Sequence, residues 1–170
     1  MPNYLLLSEI KRRLRISFDD DDAELAGHLR AAESYLGDPV DGVLQRQVVR
    51  ASFVETFNSF SDVCLEWPDN VSDVFVTYVD GDGATQTLGS IYTVSDGRLE
   101  LNYEKTWPAP AENVIVSYSS GWDAADIPAG ISDIGYFIAQ TFYDLGVEVD
   151  YDRLRKIVAF KAAPFRRSGI

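Results

Sequence analysis

Residues 74–122 read VFVTYVDGDGATQTLGSIYTVSDGRLELNYEKTWPAPAENVIVSYSSGW, and the two-residue period within them decides the fold. Val74, Val76 and Tyr78 alternate with Phe75, Thr77 and Val79, so one or both faces of this strand are covered. Asp80-Gly81-Asp82-Gly83 supplies the positive φ that a tight hairpin needs, which makes Thr85–Leu88 the return strand. Ile91–Val94 and Arg98–Tyr103 flank a second turn at Asp96-Gly97, and Val114–Tyr118 runs on to Ser119-Ser120-Gly121. About five antiparallel strands suffice for a small sandwich or open barrel. Trp67-Pro68 and Trp107-Pro108 bracket most of this run, and Gly121-Trp122 closes it.

Outward from the strands the period becomes helical. Ser8 and Glu9 open a short helix carrying Ile10 and Leu14. The acidic run Asp19–Asp22 offers N-caps to a second helix, whose stripe is Leu25, Leu29, Ala32 and Leu36 and whose end is marked by Gly37 and Pro39. Asp41 caps a third, with Leu44, Val48, Ala51, Val54 and Phe57 on one face. After the strands, Ile127-Pro128 starts a helix striped by Ile131, Ile134, Ile138, Phe142 and Leu145. A last helix starts near Asp150 or Asp152, runs through Leu154, Ile157 and Val158 to about Lys161, and is stopped by Pro164. The expected class is α+β: a mainly α-helical core of about five helices with an inserted small antiparallel β-domain. The expected division is N-terminal helices over 1–61, β-domain over 62–124, C-terminal helices over 125–161 and a tail over 162–170.

The chain has 170 residues, enough for one sizeable core, and its single Cys64 rules out an internal disulfide framework and suits a reducing compartment. No apolar run reaches the ~18–20 residues that span a bilayer, and residues 1–7 lack the basic start of a signal peptide. The expectation is a soluble protein made in the cytoplasm, without a membrane partner.

A net charge of −12 argues against wrapping DNA, which requires clustered Lys and Arg. The distribution is uneven. Residues 61–130 hold twelve acids against Arg98 and Lys105, whereas 153–170 hold six bases and no acid. An acidic body with a basic end suggests different neighbours for each. Arg153, Arg155, Lys156, Lys161, Arg166 and Arg167 form that end, and Phe165 between Pro164 and Arg166 suits a docking peptide as well as it suits a solvated helix end.

Candidate chemistry is sparse. Asp80-Gly-Asp-Gly lacks the remaining ligands of a twelve-residue calcium loop, so a hairpin turn is the better reading. The acidic run Asp19–Asp22 with Glu24 reads as an exposed helix start rather than a metal site. A Cys64–His28 nucleophilic pair is formally available, but nothing in the sequence places the two residues together. There is no phosphate loop, zinc spacing or nucleophile elbow. No catalytic residue, metal or cofactor is expected. Trp67, Trp107 and Trp122 read as β-domain core, with base stacking as the sharper alternative that the negative surroundings oppose.

Taken in order, the chain resembles the head–tail connector (adaptor) proteins of long-tailed bacteriophages and gene transfer agents. The matching pieces are Leu7-Ser-Glu-Ile-Lys, Leu14-Arg-Ile16, the acidic Asp19–Glu24, Ala31-Ala32-Glu33 with Tyr35, and Trp67-Pro68. Tyr78-Val-Asp-Gly-Asp-Gly83, Leu88 with Tyr92, Gly97-Arg98-Leu99, Trp107-Pro108, Val114 to Tyr118, Gly121-Trp122, Ile127-Pro128 and Pro164-Phe165-Arg166 complete the set. The resemblance implies a virion structural protein of the neck: a ring of twelve subunits beneath the portal protein that extends the DNA channel toward the tail or a stopper protein. It implies that the C-terminal segment docks on the portal, which makes Arg153 to Arg167 the candidates, with Phe165 where the family has tyrosine. Double-stranded DNA would pass without specific binding, and Asp80, Asp82, Asp96, Glu100 and Glu104 become candidates to face channel or tail. The alternative reading is a nucleic-acid-binding or DNA-packaging accessory module.

Overall fold

The computed structural model describes residues 4–38 and 40–166. The chain forms two compact units. Arg50–Gly121 is one, and the flanking segments together make the other.

In the flanking unit, α1 (Leu7–Leu14), α2 (Asp22–Gly37), α3 (Ala129–Leu145) and α4 (Tyr151–Ala162) enclose one apolar core. The stripes point inward as their spacing requires: Leu25, Leu29, Ala32 and Leu36 of α2 are all buried, as are Ile131, Ile134, Ile138 and Phe142 of α3, while Leu145, the last of the expected α3 stripe, is exposed at the helix end. Burying side chains of this size stabilises by about 1.5–3 kcal/mol each. The segment before α1 is tied down by Glu33, whose carboxylate accepts the backbone N–H of Tyr4 and of Leu5, each at 2.7 Å. Asp150 caps α4 by accepting the N–H of Arg153 at 3.0 Å. The run Asp19–Asp22 works differently from a simple cap: Asp19 and Asp22 hold Lys11 of α1 at 2.7 and 2.5 Å, and Asp21 accepts the hydroxyl of Tyr143 at 2.7 Å.

The other unit is antiparallel throughout. Strands β1 (Ala51–Phe57), β2 (Ser72–Asp80), β3 (Thr85–Thr87) and β6 (Ala111–Ser120) form a sheet in the order β1-β6-β2-β3, and β4 (Tyr92–Ser95) pairs with β5 (Arg98–Leu101) separately. Both sheets contribute to one core containing Val76, Leu99, Val114, Val116 and Tyr118. The β4–β5 hairpin turns on Asp96 and Gly97, whose φ values of 47° and 77° are the two positive values of a type I′ turn. The Asp80 turn is held by its own carboxylate, which accepts from the N–H of Asp82 and Ala84 at 3.0 and 2.9 Å and from the amide of Gln86 at 2.7 Å.

The third expected helix does not form. Residues 51–57 are β1, and the structure has four α-helices among the described residues. Ala51, Val54 and Phe57 fit a helical spacing, but Phe53 and Glu55 turn inward with Ala51 and Phe57, while Ser52, Val54 and Thr56 turn out. That is a period of two, in a segment rich in the β-branched and aromatic residues that favour strands. Gln45 at φ 51° also interrupts any helix started at Asp41. Leu44 and Val48 are buried in the helical unit, as a helix would have had them. The α+β class stands, with four helices and six strands among the described residues.

Candidate interaction surfaces

Helix α4 lays Leu154, Val158 and Ala162 into the core, four residues apart, and so turns its other side outward. Arg153, Arg155, Lys156 and Lys161 are exposed there, and Arg166, beyond the helix, is exposed as well. Phe160 lies among them and is 83% exposed. Its position is out of phase with the buried stripe, which is the only sequence signal that could have found it. Lys161 reaches back over the ring of Phe137, 5.3 Å from its centroid.

Beyond α4, Ala163–Phe165 forms a single 3-10 turn with Pro164 exposed. The ring of Phe165 is not free: it is half-buried and lies against Gly130 of α3. Its carbonyl accepts from the Arg46 guanidinium at 2.7 Å. Arg46 in turn stacks on Trp122, 4.7 Å from the ring centroid. Arg167 lies outside the described residues.

The acidic candidates differ among themselves. Asp80 is committed to its turn, and its hydrogen bonds with Gln86, Ala84 and Asp82 hold its carboxyl below the usual aspartate range. Asp82, Asp96, Glu100 and Glu104 are exposed and lie on turns or, for Glu100, on the outer face of β5. Glu104 sits at φ 60° beside Tyr103, which is 90% exposed. The hydrogen bond from Lys105 N–H to the Asn102 carbonyl closes this turn, and Asn102 is fixed to Ile91 by a 2.9 Å backbone bond.

The tryptophans separate. Trp107 stacks on Phe60 with centroids 4.7 Å apart and planes 7° from parallel, and Trp67 packs near Phe53 and donates its backbone N–H to the Tyr118 hydroxyl at 3.2 Å. Both border the β-unit core. Trp122 does not join them: it packs against the helical core, because the chain re-enters that unit through its N–H bond to Val48 at 2.9 Å. Tyr118 donates to Glu55, and burial together with that carboxylate pushes the phenol above its ordinary range.

Cys64 is exposed in the β-unit and His28 belongs to α2 of the helical unit. Among the described residues no three His, Cys, Asp or Glu side chains converge as a metal site would need. A groove of about 660 Å³ opens in the helical unit, lined by Glu24, His28, Tyr35, Phe142, Val147 and Tyr151 among others. Its walls are mostly aromatic and apolar; among the described residues the buried hydroxyl of Tyr35 has no hydrogen-bond partner, and the buried Nε2 of His28 lies 3.5 Å from a carboxylate oxygen of Glu24. Such a groove accepts an apolar group but holds no reactive set. No helix among the described residues is long and apolar enough to cross a membrane.

No protein-family model matches this chain, and no curated protein does. Solved structures do. A chain from the neck of an empty gene transfer agent (GTA) particle computed with C6 symmetry is similar at 16% identity and a TM-score of 0.61, over 98% of this chain and 91% of that one. A chain from the virion of a native GTA particle is similar at 16% identity and a TM-score of 0.62, over 100% and 93%. A third, from the neck of a native GTA particle computed with C12 symmetry, gives 16% identity and a TM-score of 0.60 over 98% and 91%. At that identity the likeness shows a shared fold, and it shows it for nearly the whole of both chains.

Proposed function

We propose that this chain is a non-catalytic structural protein of a virion neck, a head–tail adaptor that forms a ring beneath a portal protein and continues the DNA channel toward a tail or stopper protein. The observation that carries this reading is the near-complete fold likeness to chains taken from GTA necks and a GTA virion. A fold by itself can host many functions. Here the surface supports the same reading. A channel that passes DNA without gripping it needs few cations, and the exposed acids of the β-unit would repel phosphate. A ring of identical subunits requires two different faces per subunit, and the chain offers an acidic one and a basic one.

In this reading the protein is made in a bacterial cytoplasm and resides in the virion neck. Of the portal-docking candidates from Arg153 to Arg167, we assign the portal-facing role to the segment from Lys161 through Arg167. Arg46 and Gly130 hold Phe165 so that Arg166 leaves the helical unit from a fixed point. The nucleic-acid-binding alternative has only the cations of α4 in its favour, against a net charge of −12.

The deciding experiment is electron microscopy of the protein mixed with its cognate portal, with the full chain and with residues 162–170 removed. The full chain should add a ring to the portal, and the truncated chain should remain folded but unattached. Normal attachment of the truncated chain would remove the portal-facing role of that end. Absence of a ring with the full chain would remove the adaptor reading itself.

A further inference from the structure

Two exposed aromatics carry opposite surroundings. Arg153, Lys156 and Phe160 lie at i, i+3 and i+7 of α4 and so share one face of the helix. On the β-unit, Tyr103 projects from the turn pinned by Asn102, with Glu100 and Glu104 on either side of it in sequence and all three exposed. Phe160 is 83% and Tyr103 90% exposed. Among the described residues none of the four charged side chains has an ion-pair partner. Large aromatics left this open, each with two unpaired charges of one sign beside it, have the composition of interface anchors rather than of solvated surface.

We infer that the face Arg153, Lys156 and Phe160 binds a second copy of this chain, at that copy's Glu100, Tyr103 and Glu104. The occupant is argued from complementarity within one sequence. The unit Arg50–Gly121 carries eleven acids against three bases, so every copy brings an acidic surface to the basic helix of the next. Aromatic meets aromatic, and two cations meet two carboxylates. Lys105 is the one opposing charge beside Tyr103. The contact joins different faces, so it propagates from copy to copy and closes into a ring where the rotation allows. Duplex DNA is a poorer occupant. Phosphate contacts would use the cations but leave Phe160 in water. This contact rests on reading the chain as a ring subunit and adds to it the residues that join neighbours.

The test is charge reversal in the full chain, read by mass photometry and sedimentation. Variant one is Arg153→Glu with Lys156→Glu, and variant two is Glu100→Lys with Glu104→Lys. All four sites are exposed, and circular dichroism checks that both variants fold. The wild type should self-associate, and the association should weaken from about 50 mM to about 500 mM salt as screening shortens. Each variant alone should lose association at least tenfold, since it sets like charge against like. An equimolar mixture should recover it, because each variant's helix then faces the other's turn with opposite sign. Phe160→Ser should lose association without a change in charge. Several outcomes would overturn the contact: either variant associating as the wild type does, a mixture that fails to recover, or a wild type still monomeric at about 1 mM and low salt. Loss confined to DNA or portal binding, with self-association unchanged, would also overturn it. A ring on the portal that forms equally well with variant one would sink this contact while leaving the adaptor reading in place.

Discussion

The ring of Phe165 occupies the space that a side chain on Gly130 would need. A Cβ at Gly130 would stand 2.4 Å from Cζ and 2.9 Å from Cε2 of that ring, closer than carbon atoms approach. Phe165 belongs to the 3-10 turn that follows α4 and is only half-buried, so it is the partner that can move. Gly130→Ala should therefore expel the ring and weaken the bond from Arg46 to the Phe165 carbonyl, at a stability loss near the low end of overpacking, about 1 kcal/mol. Faster tryptic cleavage after Arg166 with a melting temperature lowered by only about 2–4 °C is the expected result. Unchanged cleavage would mean that α3 yields instead.

Glu9 illustrates an acid whose charge supports the fold. The Arg12 guanidinium first, and that of Arg13 next, hold its carboxyl down at about 2 against an ordinary value of 4.5. Because the folded value is the lower one, the contribution is fully present above pH 4.5 and fades as pH falls toward 2. Glu9→Gln should accordingly cost stability at pH 7 and cost progressively less below pH 4.5. Urea titrations of both proteins across that window check it. A pH-independent difference would place the effect in packing rather than in charge.

Gly97 meets two constraints at once. Its φ of 77° is strained for any residue with a side chain, and a Cβ there would lie 2.6 Å from the Cβ of Pro68, part of a stiff ring. Gly97→Ala should destabilise the β-unit by about 2–4 kcal/mol from the two effects together. Tryptophan fluorescence during denaturation reads it, because Trp67 and Trp107 both border that core. A loss below about 1 kcal/mol would show that the hairpin changes turn type at little cost.

Turn chemistry was legible because it is local. Asp96-Gly97 and Asp80 to Gly83 needed only their own residues to specify positive φ and a capturing carboxylate, and both hairpins fall where the sequence puts them. The helical stripes of α2 and α3 were legible for the same reason. β1 was not. Its Ala51, Val54 and Phe57 satisfy a helix spacing while the alternation through Phe53 and Glu55 satisfies a strand, and only pairing with β6, some sixty residues away in sequence, selects the second. Trp122 follows Gly121 directly, yet the chain crosses from one core to the other between them. The candidate surfaces were partly readable: the cations of α4 stand out in composition. The exposure of Phe160 and Tyr103 and the seating of Phe165 depend on which side of an element faces the core, which composition does not encode.

Glu33 should behave oppositely to Glu9. Its carboxylate accepts two backbone N–H groups, from Tyr4 and Leu5, and so fastens the start of the described chain to α2. Burial nevertheless outweighs those bonds and raises its pKa above 4.5. The folded protein therefore binds this proton more readily than the unfolded chain, so the group's contribution grows as pH falls through the raised value and levels off below 4.5. Glu33→Ala leaves both N–H groups without their acceptor in a half-buried site, which costs about 1–3 kcal/mol at neutral pH. Glu33→Gln keeps one carbonyl oxygen and should recover part of that loss. Measured at pH 7 and again near pH 5, the cost of Glu33→Ala should be larger at the lower pH, whereas the cost of Glu9→Gln should not rise. If both costs fall together on acidification, burial does not dominate at Glu33 and its paired N–H groups control the titration instead.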